Sequence, residues 1–182
     1  MVRDAAQAQS LKELGAADVV VADLEGDCRD ALKGQHTVIF TAGSGPHTGP
    51  EKTIDVDQNG AISLVDQAKE QGASRFIIVS SMRADDPDSG PEKMRHYFEA
   101  KGNADNHLRS SGLDYVIVRP GSLIEEPPLG EIRLEKKIKD FGEISREDVA
   151  KVLAEVTRME IRNQEFDVIS GDTPIRDALQ NL

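Results

Sequence analysis

Five short runs of Val, Ile and Phe limit the fold most strongly: Val19-Val20-Val21-Ala22, Val38-Ile39-Phe40-Thr41, Phe76-Ile77-Ile78-Val79, Val116-Ile117-Val118 and Phe166-Asp167-Val168-Ile169. A strand with one wet face needs a polar residue at every second place. These runs are mostly apolar at successive places, which predicts strands covered on both faces, as in a parallel sheet. Between them the spacing turns helical. Ile54 to Gln71 carries Ile54, Ala61, Ile62, Val65 and Ala68 on one face and stops near Gly72, and Met94 to Arg109 stops before Ser110-Ser111-Gly112. Strand-helix alternation with right-handed crossovers predicts an α/β fold built on a doubly wound parallel sheet.

The chain has 182 residues, of which 38% are hydrophobic. That suffices for one substantial core, so residues 1–182 read as a single domain. The segment PPLGEIRLEKKIKDFG, from Pro127 to Gly142, breaks the rhythm with Pro, Gly and a basic cluster. It reads as part of an excursion over residues 122–142 on the substrate side, with a short strand from Glu131 to Leu134, before a helix from Arg146 to Thr157. Lys136, Lys137 and Lys139 read as a solvated face.

Lys plus Arg number 22 against 33 Asp plus Glu, a net charge of −11. Such a surface repels nucleic-acid backbones and anionic membranes, so neither is an expected partner. Cys28 is the single cysteine, which excludes an intramolecular disulfide and reads as a packed or half-exposed thiol in a reducing cytoplasm. The first residues lack the apolar core of a signal peptide, and no run approaches about 18 apolar residues. A soluble, cytoplasmic protein is expected.

Ligands of open α/β sheets bind beyond the carboxyl ends of the strands. Those ends read Asp23-Leu24, Thr41-Ala42-Gly43, Ser80-Ser81 and Arg119-Pro120-Gly121, all small or polar. GSGPHTG, residues 43 to 49, looks like a Gly-rich dinucleotide loop. It reads as a plain loop, because Pro46 and the polar stretch to Lys52 delay the helix whose free N–H groups would face a pyrophosphate. His36, His47, His96 and His107 form no metal-ligand spacing, so no metal is expected, and His47 reads as an exposed loop residue. HYFEAK, residues 96 to 101, places Tyr97 and Lys101 one helical turn apart.

The segments MVRD, ADVVVADLEGD, VIFTAGSG, SRFIIVSSM, YFEAK, LDYVIVRPGSL and FDVISGDTPI, in this order, resemble an atypical short-chain dehydrogenase/reductase of the NAD(P)-binding, epimerase/dehydratase-like group. The resemblance runs from Met1 to Leu182 and implies a Rossmann-like fold. Against it, Met1-Val2-Arg3 resembles the end of a second strand. The first strand, Gly-rich turn and first helix, about 30 residues, would precede Met1. The expectation is thus an N-terminally truncated domain, with two strands lacking their shared neighbour; if the protein itself begins at Met1, dinucleotide binding is expected to be weak or lost.

By this resemblance Tyr97 is the general acid/base, Lys101 its helper and Ser81 the third member of the set, with Ser80 the lesser claimant. The chemistry agrees. A tyrosine with an unperturbed pKa of about 10 is a poor base at neutral pH, and a cation one turn away favours its phenolate. Lysine can also donate to a nicotinamide ribose, and a serine hydroxyl can donate to a carbonyl oxygen where charge develops. The bland alternative is a half-buried Tyr97 beside a solvated Lys101. Relatives often place an asparagine where this chain has Asp57, with Asn59 two residues on, so a relay of that kind is not expected.

The resemblance also implies the cofactor contacts. Arg3 would meet a 2′-phosphate, which leans to NADP with NAD as the alternative. Asp23 and Leu24 would hold the adenine edge, or Asp23 would cap its own turn. Thr41, Ala42 and Gly43 would let the backbone approach ribose and phosphate, Ser80, Tyr97 and Lys101 would stand beside the nicotinamide half, and Pro120, Gly121 and Ser122 would line its far end. The leading expectation is an NAD(P)-dependent oxidoreductase or epimerase-like enzyme acting on a small carbonyl or hydroxyl compound. The alternatives are an NAD(P)-sensing regulatory module without turnover and an NADPH-dependent flavin-type reductase. A homodimer is the expected assembly if the chain associates.

Overall fold

A computed structural model describes residues 1–45 and 47–182; Pro46, invoked above as delaying a helix, lies outside the described residues. The strands are β1 (Thr37–Phe40), β2 (Arg75–Val79), β3 (Asp114–Pro120), β4 (Ser122–Ile124), β5 (Glu131–Glu135), β6 (Glu143–Ser145), β7 (Gln164–Ser170) and β8 (Thr173–Pro174). The helices are α1 (Ala8–Glu13), α2 (Arg29–Leu32), α3 (Pro50–Lys52), α4 (Ala61–Glu70), α5 (Arg95–Ser110), α6 (Arg146–Arg158) and α7 (Ile175–Gln180), with a π-helical stretch, Thr53–Gly60, joining α3 to α4.

The main sheet runs β1-β2-β3-β7-β5-β8. β1, β2, β3 and β7 are parallel, and β5 lies antiparallel to β7 and β8. β4 and β6 form a small parallel pair of their own.

Because side chains alternate across a strand, the continuous apolar runs feed two cores. Phe76, Ile78 and Ile117 join Val38 and Phe40 beneath Leu64, Val65 and Ala68 of α4 and Ala104 and Leu108 of α5. Ile77, Val116 and Val118 point the other way, with Phe166 and Val168, onto Val149, Val152 and Val156 of α6 and Ile175 and Leu179 of α7. Helices therefore cover both faces, as a doubly wound sheet requires. α6 begins at Ser145, whose hydroxyl accepts from the Asp148 amide, and ends against Arg75, whose buried guanidinium donates to the carbonyls of Val156, Thr157 and Ile161.

Three expectations need correction. Val19 to Ala22 is no strand: it makes a single parallel bridge, Val2 to Val21, held by the Val2 amide on Val20 and the Ala22 amide on Val2. β1 is not covered on both faces, for it is an edge strand and Ile39 is 43% exposed. Ile54, expected on the apolar face of its helix, is 44% exposed. The π stretch explains this, since its wider turn shifts the face and puts Val56, Asp57 and Gly60 inward instead.

The excursion is anchored, not loose. Buried Asp148 accepts from the Leu129 and Gly130 amides, and Gly121 lies so close to Gly142 that a Cβ would sit 2.3 Å from its carbonyl oxygen. Any other residue at 121 would push the excursion off the sheet.

Candidate functional site

The carboxyl ends of β1, β2 and β3 open into one cleft of about 750 Å³. Thr41, Ala42 and Gly43 line one side, Ser80, Ser81, Tyr97 and Lys101 the middle, and Pro120, Gly121 and Ser122 the other. Ten of the residues singled out from the sequence share this cavity with the neighbouring loop 44–45. Arg3, Asp23 and Leu24 do not line it. Arg3 is exposed beyond the Val2–Val21 bridge, the Asp23 carboxylate accepts from the Glu25 amide, and Leu24 packs against the core.

α5 supplies Tyr97 and Lys101 because residues four apart share a helix face. Lys101 is 3% exposed, so a long cation has been drawn into the interior. Such burial requires a partner. Asp57 provides it: Lys101 Nζ stands 2.9 Å from Asp57 Oδ1, with the two side chains 4% and 1% exposed. The approach is off the hydrogen-bonding direction, so Oδ1 accepts no hydrogen bond among the described residues, while Oδ2 accepts from the Ser44 amide at 2.9 Å. Lys101 Nζ also donates to the Val79 carbonyl at 3.4 Å and lies 5.8 Å from the centre of the Tyr97 ring.

The two serines at the end of β2 part company. Ser80 is buried and its hydroxyl donates to Asp105 Oδ2 at 3.0 Å, away from the cleft centre. Ser81 is half-buried at the cleft wall and makes no side-chain bond among the described residues. Asp105 is held from behind by Arg119 Nε at 3.1 Å, and Arg119 bonds Glu165 as well. Burial pushes the Asp105 carboxyl up against the pull of Arg119 and Ser80. Burial also works against the charge on Arg119, but its two carboxylates outweigh that and hold it charged.

The sequence reading missed this second charged pair, and it doubted Asp57. A signal for both existed. Phe98, Lys101, Asp105 and Leu108 recur at helical spacing on one stripe of α5, and charges set into an apolar stripe announce buried partners. The other contributors, Arg83 and Phe141, left no local signal, because they meet only in the folded chain.

The lining suits the nicotinamide and ribose half of a dinucleotide. Thr41 to Gly45 bring backbone to the cleft with small side chains, Gly45 is left-handed at φ +86°, and a Cβ on Gly43 would come within 3.2 Å of Asp57 Oδ1. Asp57 Oδ1 supplies a buried acceptor still without a hydrogen bond. Among the described residues no cluster of His, Cys, Asp and Glu suits a metal ion, and no helix is long and apolar enough to cross a membrane.

Comparison with known proteins agrees with this geometry. The profile of a family described as NAD(P)H-binding matches residues 1–160. An uncharacterized sugar epimerase, YhfK of Bacillus subtilis strain 168, is 43% identical over 186 aligned positions, spanning 100% of this chain and 86% of that protein. The solved structure of a candidate NAD-dependent epimerase/dehydratase from Bacillus halodurans superimposes with a TM-score of 0.97 at 46% identity, covering 100% of this chain and 86% of the other. ChuY of Escherichia coli O157:H7, described as an anaerobilin reductase, superimposes with a TM-score of 0.74 at 25% identity over 94% of this chain and 83% of its own.

Proposed function

We propose that this chain, which belongs to the NAD(P)H-binding family, is an NAD(P)-dependent oxidoreductase or epimerase-like enzyme that works on a small carbonyl or hydroxyl compound through Ser81, Tyr97 and Lys101. One observation carries the reading: the three side chains share a single cleft with the small-residue loop from Thr41, and Lys101 is buried there beside its own counter-ion. A lysine kept only for solubility would not be 3% exposed.

The nicotinamide cofactor would supply hydride transfer. The chain's own residues manage the proton. The Tyr97 hydroxyl gives it to a substrate oxygen in reduction and takes it back in oxidation. The Lys101 ammonium stabilises the negative charge left on the phenolic oxygen, and the Ser81 hydroxyl donates to the same substrate oxygen. Asp57 holds Lys101 in place, which explains why an acid serves where relatives carry an amide. Thr41, Ala42, Gly43, Ser80, Pro120, Gly121 and Ser122 support the nicotinamide half, with Arg3, Asp23 and Leu24 assigned to the adenosine half. Arg3 makes NADP the preferred form.

The rim favours a second reading. Leu123, Met94 and Phe141 are exposed apolar side chains at the cleft, suited to a flat flavin-like acceptor that needs no tyrosine acid. One experiment tests both: calorimetric titration with NADPH and NADH, followed by NADPH oxidation with 9,10-phenanthrenequinone or riboflavin in the wild type and Tyr97→Phe. The expected result is NADPH binding unchanged by Tyr97→Phe and quinone turnover reduced by about 100-fold or more. Riboflavin turnover untouched by the substitution selects the second reading, and absence of nucleotide binding overturns both.

A further inference from the structure

The substrate end of the cleft carries positive charge on a chain that is acidic overall. On a chain of net charge −11, the carboxylate lining this cavity is Asp57, already paired with Lys101, while Arg83 and Arg146 also line it. Arg146 is committed to Glu125. Arg83 has no carboxylate partner among the described residues.

Arg83 is also held in an unfavourable backbone. The Ala84 amide bonds the Ser81 carbonyl, so Ser81 to Ala84 form a turn with Arg83 in its third place, at φ +71°. That place suits glycine, and a large side chain there is strained. The guanidinium is nevertheless fixed. Its Cζ lies over the Phe141 ring, 4.2 Å from the ring centre, and Nη1 donates to the Ser89 carbonyl and hydroxyl. Nε and Nη2, the edge that matches a planar carboxylate with two parallel bonds, have no partner among the described residues. The turn begins at Ser81, so this edge belongs to the site that holds the proton-donating set.

We infer that the substrate is a carboxylate-bearing compound with a flat apolar body, its carboxylate held by Arg83 and its body lying against Phe141, Leu123 and Met94. The inference rests on the nucleotide-dependent reading above and narrows its substrate class. Positive charge and apolar area adjoin in one rim, and a neutral sugar satisfies neither. Arg83 thereby acts as a specificity residue two positions from Ser81.

The test uses 2-naphthoate and 2-naphthamide, equal in shape and different in charge, titrated calorimetrically into the NADPH-loaded chain after NADPH itself has been titrated. The wild type is expected to favour naphthoate by about tenfold or more. Arg83→Gly is expected to abolish that preference, leave NADPH affinity unchanged and raise Tm, because glycine relieves the turn that arginine strains. Arg83→Gln, which keeps the length and loses the charge, should abolish the preference without the gain in Tm, and Arg146→Gln should preserve it. If NADPH binds and the two probes bind equally, the substrate class is wrong and the nucleotide reading stands. If NADPH does not bind, that reading falls and takes the inference with it. A loss of NADPH affinity in both Arg83 variants assigns the arginine to the cofactor and overturns the inference.

Discussion

One turn of α5 separates two buried charges that meet different fates. Lys101 faces the cleft, with Asp57 as its single acidic partner and an acceptor oxygen left open. Asp105, one turn further along the same stripe, sits where Ser80, Arg119 and, through Arg119, Glu165 and Arg109 form a network. Both pairs cost desolvation and both leave one carboxylate oxygen without a hydrogen bond, Asp57 Oδ1 and Asp105 Oδ1, but the second is tied into a wider set of side chains through Glu165. An ion pair in the cleft that also holds Ser81 and Tyr97 is available to a ligand there, whereas one whose arginine is also tied to Glu165 links β3, β7 and α5. The contrast assigns chemistry to the first and architecture to the second.

The strongest way to break the contrast is Arg119→Met. It leaves buried Asp105 without its cation, and the expected loss of about 3–5 kcal/mol should lower Tm by about 10 °C in thermal unfolding. Lys101→Met should cost less, because the Ser44 amide still donates to Asp57. A fall of about half that size is expected, and adding Asp57→Asn should restore most of it, a coupling that a double-mutant cycle measures. Equal Tm losses for Arg119→Met and Lys101→Met would erase the distinction.

A smaller effect sharpens it. Burial pushes the Asp167 carboxyl up, although the Ile138 amide donates to its Oδ2 at 2.9 Å. A raised folded value means that the carboxyl's contribution is complete below its unfolded value of about 3.9 and is lost as pH rises through the folded one. Asp167→Asn keeps an acceptor for Ile138 and removes the titration. Its Tm should exceed the wild type by on the order of 1 °C near neutral pH and converge with it in acid. A gain that grows towards acid would contradict the assignment.

Most of the fold was legible because burial on two faces leaves a continuous apolar run. What was not legible depended on neighbours. The run at Val19 is as continuously apolar as the core of β2, yet a strand is defined by partners on its edges, and Val21 finds one bridge. The positions of Tyr97, Lys101 and Ser81 followed from one helix turn and one strand end. Arg83 and Phe141 come from separate loops, and only their stacking shows that they belong together. Asp57 was visible as a residue and not as a direction, because the π stretch that aims it has no clear mark in TIDVDQNG.

That stretch has a consequence for how this chain tolerates change. Its wide turn accommodates one residue more than an ordinary helix, and Gln58 within it is tied to Asn103 of α5, so its inward face is registered against a neighbour. The aim of Asp57 is therefore set by counting. Each residue advances a helix by roughly 100°, so deletion of one position between Lys52 and Gly60 would tighten the spiral and turn the carboxylate away from Lys101 without altering a single side chain in the cleft. Among descendants of this sequence, length in that short segment should be guarded more closely than spelling.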